Sequence, residues 1–276
     1  MPLDSEFEKI KPKLTLEQLK EIADLTEKKE QEIIKAKNPE NQEIEMNLES
    51  ERQYWQKFYE NHDFKHKVEI PEIHLEDKEI KEIETLIEQG FIDKCAIIPD
   101  HLTYQELEPE MSKGYEETYQ GSNFKQDGSF ATLDEQEQAK QPAYRLVFYK
   151  KVQNLGDDKI LKQTRGKSPD EMDEYLKETN KKLNTDIQGI SLKDYLITQR
   201  EFTETTNPDK NIQDKSRHMD EAGWNWCLKS RFKHSGRVVR ASWDPGNRQL
   251  NVDAFDSSGS HSNYGSRLSR SFVMEK

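Results

Sequence analysis

From residue 239 to residue 254 the chain alternates with a period of two. Val239, Ala241 and Trp243 are apolar against Arg240 and Ser242, and beyond Pro245-Gly246 the rhythm returns as Leu250, Val252 and Ala254 against Asn251, Asp253 and Phe255. Successive side chains of a strand point to opposite faces, so an alternation that survives a turn commits this segment to a β-hairpin with one buried face. The other face then displays Arg240, Ser242, Asn251, Asp253 and Phe255 and runs on into the loop DSSGSHSNYG at 256–265. Arg267, Leu268, Arg270 and Phe272 predict a closing strand.

The composition changes in the same region. Residues 222–274 hold no Glu and are filled with Ser, Gly, Asn, Asp, His, Tyr and Arg, whereas 1–220 are written largely in Glu, Lys, Gln and Asp. Ser, Gly and Asn hydrogen-bond in many geometries and Tyr adds contact area at low entropy cost, which is the chemistry of adaptable binding surfaces. Residues 221–276 carry nine Lys or Arg against five acids, or +4, so a chain of net charge −12 holds −16 on the remainder. That balance disfavours general binding to nucleic acid or anionic membranes. It equally suits a basic tail that packs on its own acidic body.

The chain has 276 residues, of which 32% are apolar and 35% charged, a thin supply for a core. Eleven Phe, ten Tyr and four Trp nevertheless support a folded body with long solvated insertions. The expected organisation is a charged helical arm over 1–66 followed by a domain over 68–276. Thr15 and Gln18 have capping-box spacing, and Leu16, Leu19, Ile22 and Ala23 follow at helical intervals, which predicts a helix from about residue 16 to Asn38-Pro39, suited to a coiled-coil arm that forms an oligomer. A second helix over 47–60 carries Tyr54, Trp55, Phe58 and Tyr59 as a stripe for packing on the domain. Residues 91–98 and 144–152 read as strands. The polar stretches 104–140 and 155–185 read as insertions, the first as a loop and the second with a helix start at Ser168-Pro169. Residues 191–203 predict a helix with one apolar face.

The order Trp55-Gln-Lys-Phe-Tyr59, Ile70-Pro71, Gly90-Phe91, Ile97-Ile98-Pro99, Leu102-Thr103, Tyr144-Arg145-Leu146, Gly189-Ile-Ser-Leu192, Cys227 and Ser230-Arg231 resembles a family of uncharacterised proteins from small-genome bacteria. The ending, Gly236-Arg-Val-Val239, Ser242-Trp243, Leu250-Asn-Val252 and Arg267-Leu-Ser-Arg270, is similar to the variable proteins of diversity-generating retroelements. Those proteins carry a C-type lectin fold related to the formylglycine-generating enzymes. The resemblance implies an α+β fold: a C-type lectin-like domain with small antiparallel sheets and a carboxy-terminal variable-type region over 228–272. In such systems reverse transcription alters adenines in a repeat, so Asn codons become a set that includes Asn, Ser, Asp, Gly, His, Tyr, Arg and Phe. Lys233 falls outside that set, and Val239 stands where the pattern has proline.

On this resemblance the ligand-binding positions are Phe232, His234, Arg240, Ser242, Asn251, Asp253, Phe255, Asp256, Ser257, Ser258, Ser260, His261, Ser262, Asn263 and Tyr264, with Phe232, Phe255, His261 and Tyr264 as anchors. The expected function is a binding protein, not an enzyme, that recognises a macromolecular ligand, a protein, without cofactor, catalytic residue or metal site. A second reading is a basic tail that binds nucleic acid or an acidic partner through Arg231, Arg237, Arg240, Arg248, Arg267 and Arg270. A third is a degenerate relative of the formylglycine-generating enzymes with residual redox or metal chemistry. For the third, His218, His234 and His261 lie near Asp220, Asp253 and Asp256, but without HExxH or similar spacing. Cys227 follows Trp224 and Trp226 and reads as a buried thiol rather than a nucleophile for His234. Two cysteines outside any CxxC spacing provide neither a metal knuckle nor a disulfide framework. The Glu-Pro-Asn and Trp-Asn-Asp ligand motifs of calcium-dependent lectins are absent, so a lectin-like fold brings no sugar chemistry with it. The start MPLDSEFEKIKPKL has no apolar h-region and no stretch nears about 18 apolar residues, so the expectation is a cytoplasmic protein without membrane insertion.

Overall fold

The computed structural model describes residues 48–137, 143–206 and 218–274, so the helix expected from residue 16 and its part in an oligomer lie outside the described residues. The elements in chain order are α1 (Leu48–Glu60), α2 (Asp77–Glu88), β1 (Lys94–Pro99), α3 (Tyr104–Met111), β2 (Thr118–Gln120), α4 (Ser122–Asp127), α5 (Phe130–Glu137), β3 (Tyr144–Tyr149), α6 (Pro169–Leu183), β4 (Gln188–Gly189), α7 (Leu192–Thr206), β5 (Trp224–Arg231), β6 (Val238–Asp244), β7 (Gln249–Phe255), β8 (Tyr264–Gly265) and β9 (Leu268–Met274). The fold is α+β. One sheet has the order β1-β3-β9-β4 with antiparallel pairing, and the other the order β2-β7-β6-β5-β8. The second sheet is antiparallel at its centre and closed at both edges by parallel pairs, β2 on β7 and β8 on β5.

The hairpin forms as its alternation requires. Val239 faces Ala254, Ala241 faces Val252 and Trp243 faces Leu250 across β6 and β7. All six are buried. The turn is made by Asp244, whose Oδ1 accepts the N–H groups of Gly246 at 2.8 Å and Asn247 at 3.1 Å, while Arg248 adopts a left-handed φ of 55°. On the core side Trp243 stacks on His218, with ring centroids 3.6 Å apart, and Tyr115 meets Trp243 edge-on.

The expected closing strand does form, as β9, but it leaves the hairpin's sheet. It pairs with β3 and β4 in the other sheet, and Phe272 packs against Phe148. The chain is steered there by Arg267, fully buried just before the strand, whose guanidinium donates to Asp220 and to the Gln153 carbonyl.

Two further expectations change. The loop expected over 104–140 is, as far as residue 137, α3, β2, α4 and α5, and most of its few large apolar residues go inward: Tyr104, Leu107, Met111, Phe124, Phe130 and Leu133 are buried, while Tyr119 is exposed. Sparse apolar content at the right spacing suffices because each short helix needs only one buried stripe. The helix expected to have one apolar face, α7, is buried all round from Leu192 to Thr203. It packs against β1 of one sheet and β5 and β6 of the other, so no side of it faces water there. Its charged groups are therefore engaged: Asp194 with Arg145 at 2.8 Å, Glu201 with Lys151 at 2.8 Å, and Lys193 through its Nζ to the carbonyls of Asp100 and Leu102.

The aromatic stripe of α1 closes the free edge of β1. Trp55 Nε1–H donates to the Cys95 carbonyl at 3.1 Å and the Tyr59 hydroxyl to the Ile97 carbonyl at 2.6 Å. Both side chains are buried, so one helix covers an edge that would otherwise offer itself to another strand. Ser168 caps α6 as read, with its Oγ accepting the Glu171 N–H. Among the described residues no helix is long and apolar enough to cross a membrane.

Candidate functional site

Residues 256–263 join β7 to β8, and the backbone of this loop is tied down at both ends. Gly259 N–H closes a turn on the Asp256 carbonyl, and Tyr264 N–H another on that of His261. The carbonyls of Ser257, Asn263 and Tyr264 accept from Asp170, Trp224 and Gly166, which belong to two other parts of the chain, the stretch 166–170 and the start of β5. The side chains point the other way: Asp256, Ser258, Ser260, His261, Ser262 and Asn263 are exposed. The result is a fixed main chain presenting small polar groups to solvent.

Beside this loop lies an aromatic cluster built around Arg240. Its guanidinium carbon sits 4.4 Å from the ring centre of Trp224, 4.7 Å from that of Tyr264 and 4.8 Å from that of Phe255. Nη2 pairs with Asp253 at 3.0 Å, whereas Nε and Nη1 are buried without a hydrogen-bond acceptor and rest against ring faces. Cation–π attraction offsets part of that loss, and Arg stacks on rings better than Lys because its guanidinium is planar. Asp253 is itself fixed, since its Oδ1 accepts the Phe124 N–H at the start of α4.

The fifteen sequence-derived positions therefore divide. His234 and the exposed loop residues just named face solvent, and Asn251, Asp253, Phe255, Ser257 and Tyr264 are half-buried. Three are corrected: Phe232 is fully buried, Arg240 is 8% exposed and Ser242 5%. Phe232 turns inward onto Phe124 of α4, a helix in the stretch expected to be a loop. Arg240 is enclosed by the three rings and Asp253, and the short Ser242 side chain lies low in the central strand opposite Asn251. Phe232 is thus a core residue and not an anchor. Trp224 was missed as a surface residue, although its parity with Trp226, across from Arg240, was readable.

The six arginines of the basic-tail reading are all engaged with acids. Arg231 meets Asp173 at 2.8 Å, Arg237 meets Asp256 at 3.1 Å and Asp127 at 3.4 Å, and Arg248 meets Glu116 at 3.2 Å. Arg270 pairs with Glu82 at 2.8 Å, Arg240 with Asp253, and Arg267 with Asp220 at 2.9 Å. Burial works against the charge on Arg267, yet the Asp220 carboxylate outweighs it and holds the guanidinium above its ordinary pKa. The basic tail thus packs largely on the acidic body of its own chain.

The histidines and cysteines do not gather into a reaction centre. His218 is buried against Trp243, His234 lies exposed 3.7 Å from Asp127, and His261 rests on Tyr264. Cys227 is buried, and burial pushes the thiol of Cys95 well up. Among the described residues no group of three His, Cys, Asp or Glu side chains is placed to hold a metal ion.

Next to the loop is a cavity of about 180 Å³, lined among others by Asn154, Gly156, Asp157, Arg165, Asp220 and Asn263. It opens between the turn at 220–223 and the first residues after β3.

No family model, characterised protein or solved structure matches the chain. The functional reading therefore rests on the motifs and the geometry.

Proposed function

We propose that this chain is a binding protein whose recognition face is the loop 256–263 with the adjoining Trp224, Phe255 and Tyr264, carried on a C-type lectin-like scaffold and diversified in the manner of retroelement variable proteins. The scaffold part draws on the motif resemblance, with which two small sheets and an α+β architecture are compatible. One observation carries the functional part: six exposed polar side chains stand on a main chain held by hydrogen bonds to two other segments. Such a face separates shape from chemistry, because its backbone stays while its side chains are free to change. The half-buried rings beside it supply rigid area of the kind that anchors protein interfaces. The ligand is a protein surface, recognised by complementarity.

The test replaces Ser258, Ser260, His261 and Ser262 together by larger polar residues and compares melting temperature and binding across an array of surface proteins. An unchanged melting temperature with a changed set of bound proteins supports the reading. A folded variant that binds the same proteins equally well refutes it. A near-repeat of the codons for 230–270, differing at adenines and lying beside a reverse transcriptase gene, would support the diversification part independently.

A further inference from the structure

The cavity beside the loop has a chemical bias. Of its three charged lining residues, the two acids already hold donors, Asp220 through both oxygens and Asp157 through one. Both oxygens of Asp220 accept from Arg267, at 2.9 and 3.0 Å, and Asp157 Oδ2 accepts from the Asn154 main-chain N–H at 3.0 Å and its side-chain amide at 3.2 Å. Arg165 is the exception. Among the described residues its guanidinium donates only through Nη2, to Asn263 Oδ1 at 3.0 Å, and the rest of its donor fork is unspent. Its seat is prepared: a Cβ on Gly156 would stand 2.8 Å from Arg165 Nη1, so the missing side chain lets the guanidinium lie against the backbone there.

A cavity whose acids already hold donors and whose guanidinium keeps spare ones offers its strongest free site to an acceptor, and a planar anion matches the fork best. The size narrows the choice further. Pockets for free small ligands run to roughly 300–1,000 Å³, whereas about 180 Å³ holds one side chain. One wall is Asn263, so a group inserted here belongs to a molecule that lies on the loop. We propose that this cavity is the anchor pocket of the recognition face and takes the carboxylate of an Asp or Glu side chain from the protein partner, held by Arg165 and tuned by the residue at 263. The proposal rests on the recognition-face reading and names one chemical feature of its ligand.

The experiment needs no partner. The ¹⁵N-labelled protein is titrated with N-acetylglutamate amide, while the amides of Gly156, Ala222, Gly223 and Asn263 are followed by NMR. Saturable shifts at these amides are expected with the blocked glutamate and not with blocked glutamine. The Arg165→Gln variant should bind at least about tenfold more weakly, a ratio equivalent to 1.4 kcal/mol. Gly156→Ala, which keeps the arginine but shifts its guanidinium, should weaken binding in the same direction. The absence of saturable shifts overturns the proposal, as do equal shifts in Arg165→Gln, or inorganic phosphate binding where the carboxylate does not. Each of these failures leaves the loop reading intact, because the partner array tests that separately.

Discussion

Arg267 is the position where the structure and the basic-tail reading diverge most. An exposed Arg267 would be free to contact phosphates, whereas here it is fully buried and bidentate on Asp220. Arg267→Met keeps the length of the side chain, removes the charge and leaves a buried carboxylate alone. Breaking a buried pair in this way costs about 3–5 kcal/mol, a large share of the roughly 5–15 kcal/mol that stabilises a typical protein. At about 2–4 °C per kcal/mol for a domain of this size, the melting temperature should fall by roughly 6–20 °C. Urea unfolding followed by circular dichroism is the assay, and the midpoint should drop while the slope stays constant. Adding Asp220→Asn removes the stranded charge and should restore part of the loss, so the double variant should be more stable than Arg267→Met alone. A loss below about 0.5 kcal/mol, the range of ordinary surface positions, would refute the reasoning and reopen the nucleic-acid reading.

Three further outcomes are expected. Burial raises the pKa of Asp194, but the charge and hydrogen bonds of Arg145 outweigh it, so its folded pKa lies below the ordinary 3.8. Its contribution is therefore full above that value and is lost as pH falls through the folded pKa, so the stability gap between wild type and Asp194→Asn, about 1–3 kcal/mol at neutral pH, should narrow in acid; a gap that does not change with pH would contradict this. At Gly121 a Cβ would collide with the Asp253 side chain, while the backbone φ of −63° itself tolerates alanine. Gly121→Ala should thus cost about 1–3 kcal/mol by overpacking and disturb Trp224 fluorescence through Arg240, and a fully stable variant would show that Asp253 has room to move. Cys95 and Cys227 are 1% and 0% exposed, so iodoacetamide should label neither in the native protein and both after unfolding, and native labelling of Cys227 would revive its nucleophilic reading.

The hairpin was legible because Val239, Ala241, Trp243, Leu250, Val252 and Ala254 carry a local signal, the period of two, and local signals survive without knowledge of the rest of the chain. The cap of α6 at Ser168 was legible for the same reason. The helix α3 was equally readable, since Thr103 and Glu106 form a capping box, but the surrounding polar residues concealed it. What periodicity does not carry is the meeting of distant charges. The parity of Arg240 put it on the outward face correctly, but its enclosure depends on Trp224 and Tyr264 of two other strands. Arg267 finds Asp220 across 47 residues, and β9 finds β3 rather than β7, by tertiary contacts that the local pattern does not encode. The cavity was not legible at all, because Asn154, Arg165, Asp220 and Asn263 come from separate stretches of the chain.

The central claim is that the loop presents exchangeable side chains on a fixed main chain, and a saturation scan of residues 256–264 sorted for resistance to proteolysis tests it most directly. Substitutions at Ser258, Ser260, His261 and Ser262 should change stability by about ±0.5 kcal/mol, while the same scan at Phe232, Arg240 and Arg267 should return few folded variants. Loop positions as intolerant as Arg267 would mean that their side chains hold the fold together, which contradicts a surface made to vary.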